Sequence, residues 1–331
     1  MATANLPKLR AAVVVPGFLN DAQDYMPLAR ALTARGIPSA VVPMPLLHWI
    51  PSIGGRSVRP VLERIDHAVL HVCAMGEAAE DCTDALHVPP VEYSLADGIA
   101  DFRTNPGGPP GGPLRVGGSE FPDKYPTDVE PCGTFPAAPS KPKGSVALIG
   151  CAAGGYMARI YLSRRSYGGK AYGGKALVHS LMTLGTPHLA GNGLPFENVR
   201  WINREPLPEG VRVLAVGATG TSSDEALAGA YAFCDPSGRG GEGLDGDGVT
   251  TSVSAIALPG AEQQLLAGVT HYPWTAAPFA DWNLDVAPRL LTKRRTAGGD
   301  GKPWYGSERA LDEWLPWLLE PWAASLSSCT K

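Results

Sequence analysis

Short apolar runs alternate with segments of helical spacing along most of the chain. Residues 10–16 are almost entirely apolar, residues 24–32 repeat apolar positions at the helical period, and residues 37–42 are apolar again. Continuous runs of this length are typical of strands buried on both faces of a sheet. Strands that alternate with helices predict an α/β fold with a mostly parallel central sheet and helices on both of its faces.

The same alternation continues to the end of the chain. Helices are predicted over 57–73, 153–163 and 310–319, strands over 146–149, 176–184 and 211–217, and further apolar segments follow at 253–258 and 262–266. Pro316 lies inside the last helical segment, where the missing N–H and the ring are expected to kink or end the helix.

The chain is predicted to form one domain over residues 1–331, and two excursions interrupt its pattern. Residues 75–143 are rich in Pro and Gly with little periodicity, and residues 187–210 form a second, shorter excursion. A stretch as long as 75–143 is expected to be either a lid over a site or a solvated excursion.

Composition excludes some classes of function. The formal charge is -4 and no basic block occurs, so nucleic acid is not expected as a partner. No apolar run reaches the roughly 18 residues that cross a bilayer, so we expect a soluble protein. Six cysteines without paired spacing favour buried thiols in a reducing, intracellular compartment over a disulfide within the region from Cys73 to Cys132.

The segment 146–159 is the most informative part of the chain. An apolar run leads into Gly150-Cys151-Ala152-Ala153-Gly154 and then into a helical pattern. This pattern is typical of the sharp strand-to-helix turn that lifts a nucleophile above a sheet. Ala152 occupies the nucleophile position, and its methyl group cannot attack a carbonyl.

Candidates for the other parts of an acyl-transfer site follow in the expected order. Asp247 lies in a tight Gly246-Asp247-Gly248 loop, and His271 comes later, as the acid and base of such sites do. Alternative interpretations are a solvated turn or a weak calcium loop for Asp247 and a capped loop histidine for His271. His188 is a second candidate base, or a structural or pocket-wall residue.

Five segments together resemble the α/β-hydrolases, and among them a plant, algal and cyanobacterial group of lipase-like hydrolases. They are Val14-Val15-Pro16-Gly17-Phe18, residues 147–159 around Ala152, Thr183-Leu184-Gly185-Thr186-Pro187-His188, Gly246-Asp247-Gly248-Val249, and Trp304-Tyr305-Gly306-Ser307 with Trp314-Leu315-Pro316. The family pattern at the corner reads Gly-His-Ser-Ala-Gly-Gly, from which this chain departs at Cys151 and Ala152. Cys151 stands one position too early to replace the nucleophile.

We therefore expect a serine hydrolase of carboxylic esters, inactivated in this chain by Ala152 in place of serine. The backbone N–H groups of Phe18 and Ala153 would form the oxyanion hole. No cofactor or metal is expected. Alternatives are a natural pseudoenzyme that binds a lipophilic ligand, and an acyltransferase that uses the same triad. The resemblance implies a chloroplast location, with a cytoplasmic one as the alternative.

A small lipophilic ester is the expected partner, because aromatic residues cluster in the loop segments. Peripheral contact with a membrane or lipid fits the same pattern, and the oligomeric state is open. The candidate pocket residues are Trp49, His188, Phe196, Trp201, Tyr272 and Trp274, with Phe279 and Trp282 as further rim candidates.

Overall fold

The fold is built on a central parallel sheet. The computed structural model describes residues 11–18, 20–79, 81–91, 94–108, 145–189, 191, 196–226, 229–235, 239–272 and 303–327. The strands are β1 Ala11–Val15, β2 Ser39–Val41, β3 Val146–Cys151, β4 Val178–Leu184, β5 Arg212–Thr219, β6 Thr221–Ser222, β7 Asp245–Gly246 and β8 Glu262–Ala267. Six of them pair in parallel in the order β2-β1-β3-β4-β5-β8, and β6 and β7 form an antiparallel pair.

Helices cover both faces of this sheet, which confirms the predicted α/β class. They are α1 Met26–Ala34, α2 Ile50–Ile53, α3 Arg59–Met75, α4 Leu95–Phe102, α5 Ala153–Leu162, α6 Glu197–Ile202, α7 Ala230–Phe233, α8 Ser252–Ile256 and α9 Glu308–Ser327. Ala11, Val13 and Val15 of β1 pack in one core with α3 and α5. Ala12 and Val14 face the opposite core with α1 and α9, as the alternation of side chains along a strand requires.

The order of the strands places a crevice at the ends of β1 and β3. The chain proceeds outward from β1 to β2, then returns to lay β3 on the other side of β1. In open α/β sheets, ligands bind outside the carboxyl ends of the strands where the order reverses in this way. The segments at that edge are the loop after β1 and the turn between β3 and α5.

Pro316 was expected to kink or end the last helix, and α9 continues through it, so the proline does not end the helix. Trp314, Leu315 and Leu318 are buried in the core beneath the sheet. The Trp314 indole N–H also donates to the Tyr305 carbonyl at 2.9 Å. Packing on both sides of the proline thus outweighs the loss of one helical hydrogen bond.

The stretch 75–143 contains more regular structure than its composition predicts. Helix α4 lies within it, and the Arg59 guanidinium of α3 bonds the buried Asp101 carboxylate at 3.1 Å. The described part of this stretch is therefore anchored to the domain, and residues 109–144 lie outside the described residues. The shorter excursion 187–210 likewise contains α6.

The cysteines in the described part of the chain are free thiols. They are Cys73, Cys82, Cys151 and Cys234, whereas Cys132 and Cys329 lie outside the described residues. Among the helices that the structure describes, none is long and apolar enough to cross a membrane.

Candidate active site

The turn between β3 and α5 holds Ala152 in a strained conformation. Ala152 has φ 48° and ψ −124°, and within the described part of the chain it is the one non-glycine residue with positive φ. Its N–H donates to the Leu184 carbonyl at 2.8 Å and its carbonyl accepts from the Thr186 hydroxyl at 2.8 Å. Such strain persists only where surrounding structure fixes it, and it is concentrated at functional sites.

Glycines let the turn pack against its neighbours. A Cβ added to Gly150 would lie 2.4 Å from the Gly155 Cα, and one added to Gly154 would lie 2.4 Å from the Val15 carbonyl oxygen. A Cβ on Gly155 would lie 2.0 Å from the Thr186 hydroxyl oxygen. The small residues of this segment are therefore required by close backbone approach.

The loop after β1 lies directly against residue 152. A Cβ added to Gly17 would lie 2.9 Å from the Ala152 Cβ. The Asn20 N–H closes a turn onto the Gly17 carbonyl at 3.1 Å, and the Asn20 amide donates to the Phe18 carbonyl at 3.0 Å. The Trp49 indole holds this turn from below by donating to the Asn20 carbonyl at 3.0 Å.

The backbone N–H groups of Phe18 and Ala153 are the expected oxyanion donors. Neither amide has an acceptor among the described residues, although the turns that carry them are fixed by other hydrogen bonds. Ala153 is also the first residue of α5, where the N–H groups have no partner within the helix. Both amides are therefore free to bind an anionic oxygen.

Asp247 and His271 are brought into direct contact. The His271 Nδ1 lies 2.7 Å from the Asp247 Oδ2, and both side chains are buried. The carboxylate accepts from Nδ1–H, so in the neutral imidazole Nε2 carries the lone pair. The His271 backbone N–H also donates to the Asp247 carbonyl at 3.0 Å, which fixes the two loops together.

The Asp247 carboxylate is fully occupied by hydrogen bonds. Oδ1 accepts the backbone N–H groups of Val249 at 2.9 Å and Thr250 at 2.7 Å. Oδ2 accepts the Tyr305 hydroxyl at 2.9 Å as well as the His271 ring. Within the described residues, no group of three or more His, Cys, Asp or Glu side chains is arranged to hold a metal. These bonds fix the carboxylate, and the carboxylate in turn fixes the orientation of the imidazole.

Tyr231 fixes the loop that carries Asp247. Its hydroxyl donates to the Thr221 carbonyl at 2.7 Å and accepts the Gly248 N–H at 3.0 Å. Strand β7, which pairs with β6, immediately precedes Asp247 in the chain. Burial raises the pKa of Tyr231, so its hydroxyl keeps its proton and donates throughout the neutral range.

Cys151 is not a substitute nucleophile. Its side chain is buried in the core that contains α9, and burial raises the pKa of the thiol. The reactive form of cysteine is the thiolate, which this environment disfavours. The thiol is therefore a packed core group, as its position one residue before the turn predicts.

His188 is a structural residue. Its ring is fully buried between the Arg159 guanidinium at 3.3 Å from Nδ1 and the Thr183 hydroxyl at 3.0 Å from Nε2. Burial and the Arg159 charge lower its pKa well below the usual value. An imidazole that stays neutral and has both nitrogens engaged is not available as a second base.

The candidate pocket residues have different surroundings, and one of them lies in the site. Tyr272 contacts the His271 ring edge-on at 4.5 Å and lies in the site. Trp49 is fully buried beneath the loop after β1, and Trp201 packs edge-on against Tyr167 at 5.1 Å in the core, so neither forms a pocket rim. Phe196 stacks on Phe233 at 6.3 Å, and Trp274, Phe279 and Trp282 lie outside the described residues.

Two residues of the site were not singled out as site residues in the sequence. A Cβ added to Gly185 would lie 2.6 Å from the Asp247 Oδ2 and 3.1 Å from the His271 Nδ1, so only glycine leaves room for this pair. Tyr305 bonds the same carboxylate from a segment far along the chain. Both belong to segments with recognisable patterns, but nothing in those patterns indicates contact with Asp247.

The strain at residue 152 is testable on the chain as it stands. Ala152→Gly is expected to raise the free energy of unfolding by about 1 kcal/mol, because glycine adopts positive φ without a steric penalty. Ala158→Gly, within α5, provides the control and should lower stability by about 1 kcal/mol. Urea unfolding measures both, and a loss of stability in Ala152→Gly would contradict the assignment of strain.

No protein-family model matches this chain, and a search of curated proteins finds no match either.

Proposed function

We propose that the site is that of a serine hydrolase of carboxylic esters whose nucleophile position holds alanine in this chain. The observation that carries the proposal is the strained turn at Ala152, with φ 48° and ψ −124°, at the carboxyl end of β3. An ordinary strand-to-helix connection has no need of a non-glycine residue in this conformation. A nucleophile elbow does, because the conformation projects the side chain away from the sheet.

The order of strands and of functional groups supports an α/β-hydrolase fold. Parallel strands in the order β2-β1-β3-β4-β5-β8 place the loop after β1 beside the turn after β3. Asp247 and His271 then follow in the order acid and base, and their side chains meet at 2.7 Å. This is the chain order of the α/β-hydrolase triad, and both side chains are buried.

With serine at position 152, each group has a defined role. The hydroxyl would attack the ester carbonyl while His271 Nε2 takes its proton and later returns it to the leaving alcohol. Asp247 holds the imidazole through Nδ1 and stabilises the imidazolium. The Phe18 and Ala153 amides would stabilise the tetrahedral anion, each by up to about 3 kcal/mol. An acyltransferase would use the same groups with an alcohol in place of water.

The aromatic residues at the site support an ester with an apolar group as the substrate. Tyr272 lies next to His271, and the partly buried Phe18 belongs to the loop that lies against Ala152. Burial raises the pKa of Tyr272, so it presents a neutral ring.

Ala152 itself favours a second candidate function, binding of a lipophilic ligand without turnover. A methyl group in place of a hydroxyl leaves the oxyanion amides and the imidazole in position but removes the covalent step. This candidate requires that a serine at position 152 adds no hydrolysis.

Ala152→Ser distinguishes the two functions. The proposal expects release of acid and alcohol from short- and long-chain nitrophenyl esters, and product analysis with added alcohol separates hydrolysis from acyl transfer. His271→Ala in the same protein should abolish the gain. Absence of turnover in a folded Ala152→Ser protein that still binds the esters would reject hydrolysis in favour of ligand binding.

A further inference from the structure

Tyr305 shares one oxygen of Asp247 with the candidate base. Its hydroxyl donates to Oδ2 at 2.9 Å, and His271 Nδ1 donates to the same atom at 2.7 Å. The other oxygen is held by two backbone N–H groups, so the carboxylate cannot rotate to separate the two donors. Any change in the bond from Tyr305 is therefore transmitted to the bond from His271.

The protein holds Tyr305 rigidly in this position. The residue is buried, its carbonyl accepts the Trp314 indole N–H at 2.9 Å, and its ring lies against Gly185. Burial, the charge of Asp247 and the hydrogen bond to it raise the pKa of the phenol well above its usual value. Tyr305 therefore remains a donor across the pH range in which an imidazole titrates.

Two other buried tyrosines donate to side chains remote from Asp247. Tyr161 donates to Asp66 at 3.3 Å and Tyr167 donates to Asn198 at 2.6 Å, both in the core formed with α3 and α5. The Tyr305 contact differs because its acceptor oxygen is also bonded to an imidazole, whereas Lys170 bonds the other oxygen of the Asp66 carboxylate. Tyr161 offers a matched control, since it is also a buried phenol bonded to a carboxylate.

We propose that Tyr305 is a positioning residue that sets the proton affinity of His271 through Asp247. A hydroxyl proton on Oδ2 draws negative charge from the oxygen that faces the imidazole and so limits its stabilisation of the imidazolium. Without the Tyr305 hydroxyl, the Asp247 Oδ2 accepts from the His271 ring and no longer from Tyr305, so it binds the protonated ring more strongly. The role in catalysis rests on the proposed hydrolase function, whereas the coupling of the three side chains does not.

Other ionisable groups near this cluster do not replace Tyr305. Tyr272 adjoins the ring, and Tyr231, Cys151 and Cys234 lie near the same carboxylate or phenol. Tyr25 lies near Tyr272 and Cys151. Burial raises the pKa of each of these tyrosines and thiols, so all remain neutral where the imidazole gains its proton. Among the residues that the structure describes, the charge that His271 faces is that of Asp247, as modified by Tyr305.

An NMR titration of the His271 ring in the chain as it stands tests the coupling without turnover. Tyr305→Phe is expected to raise the pH midpoint of the ring by about half a unit or more, and Tyr161→Phe should leave it unchanged. Fluorotyrosine at position 305, a stronger donor, should move the midpoint downward. An unchanged midpoint with both replacements would overturn the proposal, as would a shift in the same direction for both.

The activity of the Ala152→Ser protein provides the second measurement. There, Tyr305→Phe is expected to move the acid limb of the kcat/KM profile upward by the same amount and to lower kcat by about 10-fold. If Ala152→Ser shows no turnover, the hydrolase function fails while the NMR midpoint still decides the coupling. A merely structural role for Tyr305 would lower kcat with no movement of the profile, which would contradict the proposal.

Discussion

Asp247→Asn in the Ala152→Ser protein is expected to lower kcat by about 10,000-fold. The backbone N–H groups of Val249 and Thr250 bond the present Oδ1 and will select the oxygen of the new amide. The NH2 group then faces His271 and Tyr305, so the ring must accept at Nδ1. The proton of the neutral imidazole moves to Nε2, which can no longer take a proton from serine.

Asp101→Asn in the same protein is the matched control. Asp101 is also a buried carboxylate with a hydrogen-bonded partner, but that partner is Arg59 and the pair joins α4 to α3. Steady-state kinetics with a soluble ester, together with the Tm of each variant, separate loss of function from loss of folding. A kcat for Asp247→Asn no lower than that for Asp101→Asn would show that Asp247 does not orient the base.

Gly150→Ala is expected to lower the free energy of unfolding by about 3 kcal/mol. The added Cβ would meet the Gly155 Cα at 2.4 Å, the Gly155 nitrogen at 2.6 Å and the Gly154 carbonyl carbon at 2.8 Å. All three are backbone atoms of the same turn and helix, so no side chain can rotate away. Relief requires β3 and α5 to separate, which disturbs the core that both elements share.

Gly54→Ala is the control for this second prediction. Gly54 has φ −83°, and the atom nearest to an added Cβ is the flexible Arg56 Cγ at 3.4 Å. A surface substitution of this kind should change stability by no more than about 0.5 kcal/mol. Urea unfolding of both variants in the chain as it stands measures the difference. Equal stability would mean that the turn can accept a side chain at position 150 and that its glycines do not define it.

Several elements of the fold were predictable because their signal is local. The strand Val146–Cys151 and the helix Ala153–Leu162 were predicted within two residues of their observed ends. Helix α4 was missed, since it lies in a Pro- and Gly-rich stretch and is anchored by Arg59 from a distant segment. Helix α9 passes Pro316 because of burial on both sides, which the sequence around a proline does not reveal.

The candidate site was likewise predictable only where its signal is local. The turn at Ala152 was predictable from its glycines, and the order of Asp247 and His271 indicated which residues to consider. Trp49 and Trp201 were predicted as pocket residues because aromatic side chains in loops have no local signal for burial. Both are core residues: the Trp49 indole N–H donates to the Asn20 carbonyl, and Trp201 packs against Tyr167.

The sequence by itself determined the α/β class, the glycine-rich turn and the absence of a nucleophilic side chain at its centre. These depend on periodicity and on residue type, which are properties of short segments. Only the tertiary structure decided that Asp247 meets His271 at 2.7 Å, that Tyr305 shares their oxygen and that His188 is a buried structural ring. Those contacts join residues far apart in the chain, and they exist because the carboxyl ends of parallel strands meet at one edge of the sheet.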